Sequence, residues 1–196
     1  MWGRPHAVVA RKILSKDPAQ IMINFSEKRC NEKWVSDISY IPTAEGFLYL
    51  GIIIDLFSRA VVGIQMGSSQ THHLILEAFE QAIEHRNNPK DFIFHSDRGV
   101  QYACDHFRSI LKEKSIAQSM SRKGNCWDNS VAESFFGTLK LELLSDKYFA
   151  TKTEARAAIF EYIEVFYNRK RKHSYLGYLP PIEFEARFHS GRLTGN

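Results

Sequence analysis

The stretch KWVSDISYIPTAEGFLYLGIIIDLFSRAVVGIQMG, residues 33–67, decides the fold. Its opening, KWVSDISYI, is rich in β-branched and aromatic residues and reads as a strand. TAEG is a turn signal, and FLYLGIIIDLF is apolar over a strand's length, which suits a strand buried on both faces. SRAVVGIQMG reads as a third strand, and connections this short favour an antiparallel meander of the three.

Toward the carboxy terminus the period changes. THHLILEAFEQAIEHR, residues 71–86, sets Leu74, Ile75, Ala78, Phe79 and Ala82 at helical spacing behind Thr71, and NNPKD ends that helix. FIFH at 92–95 suits a short central strand. VQYACDHFRSILKEK follows as a helix, SIAQSMS as a strand, DNSVAESFFGTLK as a helix and TEARAAIFEYIEVFYN as a long amphipathic helix. The order, βββαβαβα with one more helix, matches an α/β fold of the ribonuclease-H-like kind, a mixed five-stranded sheet flanked by helices on both faces. Other α/β sheets share the string. Toward the amino terminus, residues 1–30 read as an extension with one short helix at about 7–14. The expected division is extension 1–30, core 31–168 and basic tail 169–196.

At 196 residues and 44% hydrophobic the chain is long enough for one well-filled core plus ends. The longest apolar run, GFLYLGIII at 46–54, stops at Asp55, far short of the roughly 20 residues a bilayer span needs. With no apolar run of signal-peptide length at the start, the expectation is a cytoplasmic protein without a membrane partner. Three widely spaced cysteines, Cys30, Cys104 and Cys126, fit reduced thiols, and there is no CxxC, phosphate loop, GxGxxG or HExxH. The net charge of +4 is uneven: residues 1–107 sum to −1 and the remainder to +5. The densest cluster, NRKRKH at 168–173, reads either as a solvated helix end or as a phosphate-contacting patch.

Three acidic residues carry the chemistry. Aspartate is depleted in strands, yet Asp37 sits mid-strand in WVSDISYI, where the plain alternative is an edge position facing water. Asp97, in HSDRG, directly follows the FIFH strand, and catalytic groups in open α/β sheets gather at the carboxyl ends of strands. The plain alternative there is a turn residue before Gly99. Glu133 lies three residues after Ser130 and could close a capping box, as could Glu154 after Thr151. In the proposed sheet the first strand and the FIFH strand are parallel neighbours, and a helix beginning near Ser130 could bring Glu133 to the same edge. Converging carboxylates repel and raise one another's pKa, a problem a hard divalent cation removes.

The segments WVSDISYI, DLFSR, HSDRGVQY, SMSRKGNCWDNSVAESFFGTLKLE and YNRKRKHSYLGYLPP together resemble the catalytic half of bacterial insertion-sequence transposases of the OrfB type, whose core is similar to retroviral integrases. The resemblance covers about residues 34–184. That superfamily uses an Asp, Asp, Glu triad whose last two members are separated by 35 residues, the number lying between Asp97 and Glu133. The resemblance implies that Asp37, Asp97 and Glu133 are catalytic and bind two Mg²⁺ ions, with Mn²⁺ able to substitute. Asp37 would bridge the ions, Asp97 would complete one site and Glu133 the other. Asp55, His95 and Asn129 are the expected supporting residues. Lys140 also matches, two helical turns after Glu133. Arg122, Lys123, Lys140, Arg169, Lys170, Arg171 and Lys172 are the expected DNA-backbone contacts. Tyr167, Asn168, Arg171 and His173 match the family's carboxy-terminal motif, where packing of the tail and a DNA role are equally open.

The implied activity is metal-dependent DNA cleavage and strand transfer during transposition, on element ends and target DNA, by a homo-oligomer. Residues 1–20 match no part of the family, whose full members carry helix-turn-helix segments before the core. That implies a partner chain supplying them, or a truncated gene product. Two alternatives stand beside this reading: a ribonuclease-H-like nuclease that only hydrolyses, and a fragment that binds DNA or co-assembles as a regulator.

Overall fold

In the computed structural model, which describes residues 28–97, 99–121, 129–145 and 147–192, the meander is the edge and centre of one five-stranded sheet. The strands are β1 (Lys33–Thr43), β2 (Gly46–Asp55), β3 (Val61–Gly67), β4 (Ile93–Ser96) and β5 (Ala117–Met120), in the order β3-β2-β1-β4-β5. β1 pairs antiparallel with β2, β2 antiparallel with β3, and β4 lies parallel between β1 and β5. The expected short helix at 7–14 and Cys126 lie outside the described residues, where Cys30 and Cys104 are free thiols. No helix among the described residues is long and apolar enough to cross a membrane.

The continuous apolar run of β2 is explained by burial on both faces. Leu50, Ile52 and Ile54 enter the core beneath α4 (Ser130–Leu139) and α5 (Lys152–Glu161), with Phe135, Phe136 and Ile159. Ile53 points the other way, into a second core with Trp34, Phe79 and Phe94 beneath α1 (His72–His85). A Cβ on Gly63 would fall 2.3 Å from the Ala78 carbonyl oxygen, so glycine lets α1 lie directly on β3.

The helix expected after β4 is two helices, α2 (Val100–Ala103) and α3 (Asp105–Glu113). Cys104 between them is extended, and its Sγ accepts from the Phe107 N–H at 3.4 Å. The Tyr102 carbonyl accepts at 2.9 Å from Gln118 Nε2 on β5 instead of from a helical N–H. Both long helices widen into π turns, α4 into Lys140–Leu144 and α5 into Tyr162–Tyr167. The last helix, α6 (Pro181–His189), returns to the core: Phe184 packs tilted and Phe188 edge-on against Phe57, and Glu185 forms a two-point ion pair with Arg86 at 2.8 and 3.0 Å.

Candidate active site

Asp37 is not an edge residue. It lies in β1, bordered by β2 and β4, and alternation sets it on the same face as Val35 and Ile41, the face that α4 covers. Its Oδ1 accepts from the Ile38 N–H at 2.8 Å, and the Asn129 side chain donates to the same carboxylate. Burial pushes the Asp37 carboxyl up to about 6; the charges of Asp97 and Glu133 push it the same way, against those two hydrogen bonds. Three acids far apart in sequence therefore act on one another in space.

Each of the other two is brought in by a separate element. Ser96, the last residue of β4, pairs with Ser36 in parallel register, which carries Asp97 alongside Asp37. Asp97 Oδ1 accepts from the Gly99 N–H at 2.8 Å, so the turn role and the position beside Asp37 coexist. A Cβ on Gly99 would lie 2.9 Å from that oxygen, and glycine keeps the turn open for the acid.

Glu133 is exposed in the first turn of α4, whose N-cap is Asn129. The Asn129 side chain makes no cap bond; its amide is spent on Asp37, and its Oδ1 is buried without a partner. The second Ser/Thr-x-x-Glu behaves differently. Thr151 Oγ1 accepts from the Glu154 N–H at 3.1 Å, and Glu154 Oε2 accepts from the Ala150 N–H at 3.0 Å. One stretch caps its helix with the glutamate, whereas the other leaves its glutamate to act on Asp37.

Tyr102 is a neighbour that the sequence reading did not single out. It is fully buried, its hydroxyl lies 3.0 Å from Ser36 Oγ, and its pKa is raised by burial and by the charges of Asp37 and Asp97. Its signal was available in HSDRGVQY, since an aromatic one turn after the strand-end acid can reach back across β1.

Of the other expected supporting residues, Asp55 stands elsewhere, whereas His95 pairs with Val35 on the side of the sheet that carries Asp37. Asp55 pairs with Trp34, three residues along β1 from Asp37 and on the opposite alternation, so it does not support the acids. It is buried, accepting from the N–H groups of Asn31, Phe57 and Ser58 at 2.6, 2.9 and 3.1 Å, and it shapes the turn leaving β2. Burial raises its pKa, and the Arg86 charge opposes the rise. His95 is buried on β4 with its two ring nitrogens each 3.1 Å from a serine hydroxyl, of Ser119 and Ser121 on the β5 side.

Among the expected DNA contacts, Lys140, Lys170 and Lys172 are exposed. Arg171 is engaged by Glu142 at 2.9 Å, and Arg169 Nε donates to the Glu164 carbonyl at 3.1 Å. Arg122 and Lys123 lie outside the described residues. Asn168 is buried, bonded through both amide atoms to the backbone of Val61 at 2.9 Å, and Tyr167 packs against Phe135 and His173. These contacts are packing of the tail.

As they stand, no three acidic, histidine or cysteine side chains among the described residues are close enough to hold a metal ion. The donor set nonetheless suits a hard divalent cation: three carboxylates, one raised by desolvation and by the other two, beside an unpartnered buried amide oxygen.

Two family models, both described as integrase core domain, match residues 27–126 and 114–181. The chain belongs to the integrase core domain family. Among its relatives, transposase InsF for insertion sequence IS3A of Escherichia coli is 44% identical over 155 residues, 79% of this chain and 54% of that protein. The transposase for insertion sequence element IS904 of Lactococcus lactis is 46% identical over 155 residues, 79% of this chain and 61% of that protein. The chain thus spans little more than half the length of these curated relatives. In fold it is similar to the HTLV-2 integrase catalytic core domain solved in complex with magnesium, with a TM-score of 0.60 at 17% identity over 80% of this chain and 97% of that one. A chain of the simian T-cell lymphotropic virus intasome gives 0.67 at 17% identity over 81% and 55%. The ribonuclease-H-like sheet expected from the element order is the fold these integrase cores share.

Proposed function

We propose that the chain is the catalytic part of an insertion-sequence transposase that cuts DNA and joins a 3′-hydroxyl end to a target strand. The observation that carries the reading is the Asp37 carboxyl, raised by burial and by the charges of Asp97 and Glu133. An acid cluster of this kind costs stability unless it neutralises a ligand's positive charge. The similarity to the InsF and IS904 transposases supports DNA as the substrate class, and moving a DNA segment requires phosphoryl transfer.

In this reading Asp37, Asp97 and Glu133 are the catalytic acids and hold divalent metal, Mg²⁺ or Mn²⁺. When bound, the metal supplies activation of the attacking oxygen and charge stabilisation of the leaving one. Asn129 orients Asp37 through its amide. Gly99 leaves room for Asp97, and exposed Glu133 is free to close on the other two. Exposed Lys140, one α-helical face with Glu133, meets a DNA phosphate, as do Arg122, Lys123 and the basic cluster 169–172. Residues 31–168 form the catalytic unit, and the enzyme works as a multimer on paired DNA ends, with end recognition shared with helix-turn-helix segments.

A strand-transfer assay on short element-end DNA with Mg²⁺ or Mn²⁺ tests this. Asp97→Asn is expected to lower joining about a thousandfold or more while leaving the fold intact. Full joining by that variant sinks the assignment of the acids, and cleavage without joining by the unaltered chain points to a hydrolytic nuclease.

A further inference from the structure

A cavity of about 610 Å³ runs along α4 on the side of the carboxy-terminal tail. Ser130 and Ser134, on either side of Glu133 in sequence, form one wall; Arg59 from the β2–β3 turn and His173, Tyr175 and Tyr178 from the tail form the rest. Nothing in the proposed chemistry of the three acids uses it.

One buried donor in this wall lacks an acceptor: Arg59 Nη1 is buried without a hydrogen-bond partner. His173 beside it is neutral, since burial, helped by the charges of Arg171 and Arg59, pushes its pKa down to about 4, and its ring N–H is spent on the Tyr167 backbone. A buried donor left unpaired costs stability that a bound acceptor would recover. Arg59 is further held at φ 61°, a left-handed backbone conformation that few side chains adopt, and strain of this kind persists where a site needs the residue in place.

The aromatic part of the wall has the complementary character. The Arg59 guanidinium lies over the Tyr175 ring at 3.9 Å from its centroid. Tyr175 is 55% exposed and Tyr178 69%, although both are large rings in a polar tail. Donors for a phosphate oxygen beside open aromatic faces are what an unpaired nucleotide requires: charge and N–H groups for the backbone, a π-surface for the base. A fully paired duplex offers no free base to such a surface. A volume of about 610 Å³ suits a ligand the size of one nucleotide.

We propose that this cavity binds one unpaired nucleotide of a DNA strand, its phosphate on Arg59 and its base against Tyr175 and Tyr178, next to the helix that carries Glu133. The binding itself needs none of the three acids; only the statement that the nucleotide belongs to the processed strand rests on the transposase reading.

The test uses the full chain carrying Asp97→Asn, without added metal, so that binding is read apart from catalysis. Fluorescence anisotropy compares a blunt duplex with the same duplex bearing a short unpaired 3′ overhang. Tyr175→Ala and Arg59→Gln are expected to weaken overhang binding about tenfold each, on the order of one lost stacking contact. Blunt-duplex binding should change less than about twofold, and Tyr175→Phe, which keeps the ring, should bind as the parent does. Circular dichroism melting establishes that each variant is folded. Equal losses for both DNAs, or a lowered melting temperature with unchanged overhang affinity, would overturn the proposal, the latter making the Arg59–Tyr175 stack a packing contact. Loss of strand transfer in Asp97→Asn bears only on the acids and leaves this result independent.

Discussion

At the scale of the single residue, Asp37 ties folding to pH. Its folded-state carboxyl titrates near 6 against an ordinary 3.8, so between those values the native state holds a proton that the unfolded chain has released. The associated stability is complete below about pH 4 and is lost as pH rises through about 6. The loss amounts to at most about 3 kcal/mol. Because His173, depressed to about 4, changes stability in the opposite sense over the same window, the Asp37 contribution is read by difference. In thermal melts in EDTA, the stability of the unaltered chain relative to Asp37→Asn should fall as pH rises through about 6. Millimolar Mg²⁺ at pH 7 should restore stability to the unaltered chain and not to that variant. Asn129→Ala removes a donor from the same carboxylate, and the carboxyl resonance of Asp37 in an NMR titration is expected to shift to a higher midpoint.

At the scale of the element, two Ser/Thr-x-x-Glu stretches that read alike in sequence have different jobs. At the start of α5 the side chains of Thr151 and Glu154 satisfy two backbone donors. Thr151→Ala should cost about 1 kcal/mol by chemical denaturation. At the start of α4 the cap residue turns to Asp37 and the glutamate is left exposed, a difference set by what lies beneath each helix. The packing of α1 on β3 sets a second expectation. Gly63→Ala would drive a methyl into the Ala78 carbonyl and the Ala82 side chain, and about 3 kcal/mol of destabilisation is expected in urea melts. The π turns that end α4 and α5 bring Tyr162 onto Glu142 at 2.7 Å and Arg171 onto the same carboxylate, so the tail is anchored where the helical period changes.

At the scale of the whole molecule, the tail is tied into the sheet. The amide of Asn168 completes both backbone bonds of Val61 at the start of β3, and Arg86 at the end of α1 clasps Glu185 of α6. Asn168→Ala strands a buried N–H and a buried C=O and is expected to cost about 2 to 3 kcal/mol. Arg86→Ala leaves Glu185 without its ion partner close to buried Asp55, with a comparable loss by denaturant titration. The same tail closes one side of the cavity along α4, so loosening it should also reduce binding of overhang DNA.

The meander, the buried character of β2, the strand-end place of Asp97 and the spacing of the acids were legible in the sequence, because alternation, apolar run length and turn chemistry are local properties of the chain. So was the family, through motifs spread along its length. What the sequence left open was resolved by contacts between residues far apart in it. Asp37 is central because β4 crosses back to pair with β1, and Asp55 falls away from the acids because strand register sets it on the other alternation. The break at Cys104 follows from a hydrogen bond to β5, Tyr102 meets Ser36 on the face of the sheet opposite Asp37, and the arginines of the basic cluster answer to Glu142 and Glu164. Long-range pairing decides which face of an element is covered, and burial on that face is what turns an ordinary aspartate into one that ionises near 6.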